Sequence, residues 1–310
     1  MKANIVFLDS QTLGECDLSV FESLGNFTHY PVTSPNEVIE RAKEAQIVLT
    51  NKVVLDSQIL ENLPNLKLIC IVATGMNNVD LECAKAKGIA VKNVAGYSTN
   101  AVAQHTLMLA LSFLGNLPYY ERYCKNGEWV KSQTFTHIKD PLLELDCLQW
   151  GIIGLGSIGN RVAKLASAFG AKVSYFSTSG KNSNATYPQK SLEEILSTSD
   201  VISIHAPLNS ATKNLLNSGN LKLLKKHAIL LNMGRGGIVN EEDIAKELES
   251  RELYFGADVL ENEPMKPNHP LLNPKIAHKI LLTPHIAWAY DKARVRLIEG
   301  VVANIKSFGI

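Results

Sequence analysis

Gly154, Gly156 and Gly159 form the pattern G-x-G-x-x-G. It follows the apolar run WGII and precedes NRVAKLASAF, whose Val162, Leu165, Ala166 and Phe169 share one helical face. Glycines so placed can hold a dinucleotide pyrophosphate. Gly154 permits a tight turn, Gly156 lets the backbone approach the phosphates, and Gly159 lets helix and strand pack closely. The free N–H groups and the dipole at the helix start, around Ser157 and Ile158, favour an anion. A bare glycine turn that binds nothing is the alternative, and it gives Gly156 little reason to be glycine. The next strand, KVSYF, ends before Ser177, where such sites usually place an acid for the ribose hydroxyl; Thr178, Ser179 and Lys181 follow. A carboxylate there would repel a 2′-phosphate, whereas hydroxyls and a lysine can bind one. NADP is therefore slightly favoured over NAD, the alternative being an NAD site without its usual acid.

Three ionisable residues stand just beyond later strand-like runs: Arg235 after AILLNM, Glu263 after FGADV and His285 after ILLTP. In open parallel sheets the binding crevice lies at the carboxyl ends of the strands, so all three can converge on the cofactor. Together they suit hydride transfer to a 2-oxo acid. An arginine fork grips carboxylate and ketone oxygens. A histidine donates the proton that the carbon-2 oxygen needs, and a neighbouring carboxylate orients the ring and stabilises the imidazolium. Singly, each residue has a plainer use: a helix-capping arginine, a solvated loop glutamate, a hydrogen-bonded turn histidine. Three compatible residues downstream of a dinucleotide turn favour the catalytic reading.

The elements that must position them alternate. Strand candidates Asn4–Leu8, Ile47–Thr50, Leu68–Val72 and Ala90–Asn93 are separated by helical stretches such as Asn36–Ala45 and Asp80–Lys87. A long helix starts near Asn100, capped by Thr99 or Asn100. A polar, aromatic stretch, Tyr119–Lys139, then reads as a surface excursion or dimer arm. A second series follows: Trp150–Gly154, Lys172–Phe176, Val201–His205, Ala228–Met233, Phe255–Val259 and Lys279–Leu282, with Ser177–Gln189 as a loop and Asp291–Phe308 as a terminal helix. Continuously apolar runs between helices indicate parallel strands covered on both faces. The expectation is an α/β chain of two doubly wound parallel-sheet, Rossmann-like domains with a cleft between them. A discontinuous substrate domain takes residues 1–98 and 288–310, and a dinucleotide-binding domain takes 99–287.

Composition sets outer bounds. The 310 residues exceed what one core usually serves. With 31 basic and 30 acidic side chains, the chain offers no electrostatic footprint for nucleic acid or an anionic membrane. The five cysteines, odd in number and without a C-x-x-C pair, suit reduced thiols in a cytoplasm and argue against a metal site. MKANIVFLDS reads as a first strand rather than a signal peptide, and no apolar run reaches the length of a membrane span.

With these motifs in place, the sequence resembles the D-isomer-specific 2-hydroxyacid dehydrogenase family. GIIGLGSIG, HAPLNSATKNLLN, NMGRGGIVNEEDI, GADVLENEP and LLTPHIAWA match its blocks in order and spacing, over nearly the whole chain. The resemblance implies Arg235, Glu263 and His285 as the catalytic trio. It implies Asp258 near the nicotinamide, with His205, Ala206, Pro207, Thr212, Asn232, Met233 and Gly234 lining the cofactor. In the N-terminal part VATGMNNVD resembles the substrate loop, placing Ala73, Thr74 and Gly75 near the substrate carboxylate, and NAVAQH resembles a hinge helix. FLDSQTLGECDLS, TNKVVLD, FTHIKDPLLEL and HIAWA look most like the glycerate dehydrogenase (hydroxypyruvate reductase) subgroup, which implies hydroxypyruvate, then glyoxylate, as substrates. D-lactate or phosphoglycerate are the alternative acids. Thr50, where phosphoglycerate enzymes tend to be basic, and the absence of an appended regulatory domain weigh against the latter. A dinucleotide-sensing binding protein is the rival class. Gln104, Ala95 and Ser177 depart from the common Glu, Pro and Asp. The resemblance also implies a homodimer built on the cofactor domains.

Overall fold

In the computed structural model, which describes residues 2–181 and 183–309, the apolar β-branched runs form two all-parallel sheets. Met1, Ile310 and Asn182, the last within the expected loop Ser177–Gln189, lie outside the described residues. The chain divides into two compact units, Met1–Ser98 with Ala289–Ile310, and Thr99–Trp288.

The first unit holds strands β1 (Asn4–Phe7), β2 (Asn26–His29), β3 (Ile47–Thr50), β4 (Leu68–Ile71) and β5 (Ala90–Lys92), in the order β2-β1-β3-β4-β5. β3 and β4 are buried along their whole length. β2 has no counterpart among the strands expected from sequence. It pairs on one side only, its NFTH is largely exposed, and an edge strand of that kind needs no apolar run. The expected helix Asn36–Ala45 is shorter: a 3-10 turn, Pro35–Glu37, leads into α1 (Val38–Ala42). α2 (Ser57–Glu61) and α3 (Leu81–Ala86) are capped by Asp56 and Asp80, whose carboxylates accept from the amides of Ile59 and Cys83. Ala73–Gly75 lie in the loop beyond β4, where Thr74 Oγ1 donates to the Val94 carbonyl (3.0 Å) and Asn93 Nδ2 to the Thr74 carbonyl (2.6 Å).

The second unit opens with α4 (Thr99–Leu114) and α5 (Leu117–Lys125). Thr99 is already the first residue of α4, so neither it nor Asn100 is the flanking cap. The stretch expected to be an excursion begins as helix α5 and continues past a 3-10 turn, Trp129–Lys131, with Val130 and Phe135 about nine-tenths exposed (89% and 90%). There follow β6 (Gln149–Ile153), α6 (Ser157–Ala168), β7 (Lys172–Phe176), α7 (Leu192–Thr198), β8 (Val201–Ile204), β9 (Ile229–Asn232), α8 (Glu241–Ser250), β10 (Tyr254–Ala257) and β11 (Ile280–Leu282). The sheet order is β11-β10-β9-β8-β6-β7. From β6 the chain winds outward to β7 and then back to β8 on the other side, so the order reverses between β6 and β8. Such a switch point is where open α/β sheets bind ligands. The core beneath it is dense: Trp150 is fully buried and its indole N–H donates to Ser203 Oγ (2.9 Å). α9 (Asp291–Phe308) belongs to the first unit and packs against β4 there.

Candidate active site

The second unit's site is built on loops at the carboxyl ends of its strands. At the switch point, Gly154 has φ +93°, a conformation that side chains resist, and a Cβ on it would lie 2.9 Å from the Ala206 amide nitrogen. A Cβ on Gly159 would lie 2.3 Å from the Gly154 carbonyl oxygen, so helix and turn touch backbone to backbone. Gly156 differs: it has no positive φ, and a Cβ there would meet nothing. The chain itself does not require glycine at that position, whereas a phosphate approaching the backbone would. α6 begins at this glycine without a side-chain cap and without an acidic residue in its first turn. α8, by contrast, is capped by Asn240 and carries Glu241, Glu242 and Asp243 in its first turn. The free amides at Ser157 and Ile158 therefore suit an outside anion.

Two buried polar atoms beside this turn have no hydrogen-bond partner among the described residues. Ser177 Oγ, on a residue 7% exposed just past β7, is one. His205 Nδ1, just past β8, is the other. His205 Nε2 contacts Ser203 Oγ (3.0 Å), the same oxygen that accepts from Trp150. Burial pushes the His205 imidazole down to about 3, so it is neutral near pH 7. Buried polar atoms rarely go unpaired. Two of them, at the ends of the strands that flank β6, fit a polar ligand such as the nucleotide half of a nicotinamide cofactor.

Other residues expected to line the cofactor are already committed to holding loops. Thr212 is fully buried; its hydroxyl donates to the Pro207 carbonyl (2.6 Å) and accepts from the Asn209 amide (2.8 Å). Asn232 bridges the next loop, its Oδ1 accepting from Gly234 N (3.2 Å) and its Nδ2 donating to the Arg235 carbonyl (2.9 Å). Ala206 and Met233 are buried, and Pro207 is exposed. Thr178 is half-buried at the mouth of the loop after β7. Asp258, 3% exposed, takes Thr283 Oγ1 (2.6 Å) and the Ile286 amide (2.8 Å) on Oδ1 and the Ala287 amide (2.8 Å) on Oδ2. Its first task is thus to hold the loop that carries His285.

That loop needs holding. His285 has φ 55°, a left-handed conformation costing roughly 1–3 kcal/mol for a residue with a Cβ. The amides Asp258 fixes are the two that follow it. Thr283 Oγ1 also contacts Nε2 of His105 (3.0 Å), which is almost fully buried on α4; desolvation keeps His105 below the ordinary histidine range, against the pull of Asp258. The turn is therefore clamped from both sides. Neither His105 nor Thr283 is singled out by sequence reasoning for this task, because 178 positions separate them.

On this frame His285 Nδ1 lies 2.7 Å from Glu263 Oε2. An ionised carboxylate only accepts, so Nδ1 carries the hydrogen and Nε2 is the nitrogen that exchanges protons. Among the described residues no bond to Nε2 is present. Glu263 Oε1 accepts from its own turn, at Leu260 N (3.0 Å). Arg235 is exposed; its Nη1 donates to the Gly234 carbonyl (2.9 Å), and it makes no ion pair with Glu263 among the described residues. An exposed guanidinium, an imidazole with one free nitrogen and its carboxylate can bind an anionic carbonyl compound and exchange one proton with it. Among the described residues no group of three or more His, Cys, Asp or Glu is placed to hold a metal ion.

Comparison with known proteins gives a consistent picture. Residues 107–287 match the family model described as "D-isomer specific 2-hydroxyacid dehydrogenase, NAD binding domain". The chain is 37% identical over 314 residues to a hydroxypyruvate reductase of Blautia hydrogenotrophica, covering 98% of this chain and 96% of that one. It is 35% identical over 313 residues to a glycerate dehydrogenase of Methylorubrum extorquens, covering 99% and 96%. Its fold is similar to that of a D-lactate dehydrogenase from Aquifex aeolicus complexed with NAD and lactic acid, with a TM-score of 0.82 and 27% identity over 98% of this chain and 95% of that one.

Proposed function

The chain belongs to the D-isomer-specific 2-hydroxyacid dehydrogenase family, and from that premise we propose that it reduces hydroxypyruvate to D-glycerate, with glyoxylate as its second substrate. It is a nicotinamide-dependent oxidoreductase of small 2-oxo and 2-hydroxy acids. The observation that carries the catalytic reading is the Glu263–His285 pair at 2.7 Å with Nε2 left free. The choice of acid rests on the full-length likeness to the two relatives named above.

When bound, a nicotinamide cofactor would supply a hydride to carbon 2 of the substrate. The free α6 amides, the loops held by Thr212 and Asn232, Ser177 Oγ and His205 Nδ1 would hold it. Arg235 grips the substrate carboxylate and the ketone oxygen through its planar fork. His285 gives the Nε2 proton to the oxygen on carbon 2, which becomes the new hydroxyl. Glu263 balances the imidazolium before the proton leaves. Ala73–Gly75 of the first unit are assigned to the substrate carboxylate on the family resemblance alone.

The test is a panel of 2-oxo acids with NADH and NADPH. Hydroxypyruvate should give the highest kcat/KM and glyoxylate the next. A higher value for pyruvate or a branched acid would overturn the assignment. NADPH should be accepted, because Ser177 brings no charge to repel a 2′-phosphate. Ser177→Asp should shift preference towards NADH by roughly 1–3 kcal/mol, the scale of a hydrogen bond to a charged group. Large exposed apolar side chains between 129 and 143, among them Val130, Phe135 and Ile138, support a homodimer formed through this arm. The unpaired state of all five cysteines supports a reducing, cytoplasmic setting.

A further inference from the structure

A second carboxylate–imidazole pair lies behind the first. Glu241, the first residue of α8, has Oε2 2.7 Å from His269 Nε2, with side chains 10% and 7% exposed. His269 Nδ1 accepts from the Leu271 amide (3.3 Å), so its hydrogen sits on Nε2 and points at Glu241. The other oxygen of Glu241 accepts from the Glu261 amide (2.7 Å). The amide one residue earlier, Leu260 N, donates to Glu263. Two consecutive amides of one turn therefore hold two carboxylates, each facing its own histidine.

The same turn is gripped from the Arg235 side. A Cβ on Gly236 would lie 1.9 Å from the Leu260 carbonyl carbon and 2.2 Å from Glu261 N. The backbone next to Arg235 thus rests directly on the peptide between the two amides. Glu241 lies only six residues beyond Arg235. It closes the other side, with His269 holding its free oxygen in place.

We propose that Glu241, braced by His269, is a positioning residue that locks the Arg235 loop to the turn carrying Glu263 and so keeps Glu263 in register with His285. The inference rests on the proposed role of Glu263. It assigns Glu241 and His269 no contact with substrate or cofactor.

Two readouts on the intact enzyme test it. The first is a double-mutant cycle in kcat/KM for hydroxypyruvate. Glu241→Gln keeps one acceptor but turns an amide donor towards either the Glu261 amide or the His269 N–H. It should lower kcat/KM about fivefold, with cofactor affinity unchanged. In the Glu263→Gln background the same change should cost less than twofold. Equal losses in both backgrounds would overturn the proposal. The second readout does not depend on turnover: hydrogen exchange across residues 258–264. Glu241→Gln and His269→Phe, which keeps an aromatic ring, should both speed exchange at Glu261. Unchanged exchange there would overturn the lock even if activity fell. A wild-type enzyme that turned over no 2-oxo acid would defeat the proposed function, and the exchange result would still decide the lock.

Discussion

Glu263–His285 and Glu241–His269 are the same chemical pair, each at 2.7 Å, their carboxylates held by consecutive amides of one turn. They differ in what surrounds the imidazole. His269 spends both nitrogens, one on Glu241 and one on the Leu271 amide, and is almost closed off from solvent. His285 spends one nitrogen, sits in a left-handed turn and is 24% exposed, with its carboxylate 35% exposed. A fully satisfied pair is a fastener. A half-satisfied pair on a strained, clamped loop can give a proton away. The contrast shows that chemistry at this site comes from the nitrogen left unpaired, and that the cost of leaving it so is met by the Asp258 hydrogen bonds to the following amides.

Three experiments bear on this contrast. The largest effect is expected for His285→Ala, which removes the only imidazole of the two with a free nitrogen. Loss of a general acid typically costs about 10²–10⁴-fold in rate, and kcat should fall on that scale while cofactor affinity, read by fluorescence titration, holds. Near-normal turnover would mean the proton comes from elsewhere. Glu263→Gln should cost less, roughly tenfold in kcat/KM, because the carboxamide still accepts from Nδ1 but no longer balances the imidazolium. A loss as great as that of His285→Ala would mean that Glu263 does more than support the ring.

The smallest effect at neutral pH concerns two imidazoles that burial holds below the ordinary histidine range. His205 is held down to about 3 by burial, and His105 is lowered by the same cause. A histidine whose folded-state value is depressed favours the unfolded, protonated chain once pH drops below the ordinary histidine range. Stability should therefore be level above about pH 6.5 and fall from there towards pH 3, by at most about 1.4 kcal/mol per pH unit for His205 alone. Thermal melts of wild type and His205→Asn should converge as pH falls across that window. Parallel curves would show that His205 does not drive the loss.

Much of the fold is legible because it rests on short-range rules. β3, β4 and their counterparts in the second unit are buried on both faces and so read as unbroken apolar runs. β2 escapes the rule, because an exposed edge strand carries no such pattern. The glycine turn is equally local: Gly154 and Gly159 are fixed by contacts within a few residues and the adjacent strand end, and Gly156 stands out by lacking any. The sequence also determines the residue types at the strand ends, Arg235, Glu263 and His285, and hence the kind of chemistry available. It does not determine which polar groups are spent on structure and which are left over. Asp258, which the resemblance puts near the nicotinamide, also accepts from Thr283, Ile286 and Ala287. His269 lies in none of the sequence motifs, yet it braces Glu241, 28 positions earlier. Hydrogen-bond capacity is finite, and partners far apart in sequence meet only when the sheet order β11-β10-β9-β8-β6-β7 brings their loops to one end of the unit. Residue type alone makes His269 and His285 equivalent; the packing around them leaves only one with a nitrogen to offer.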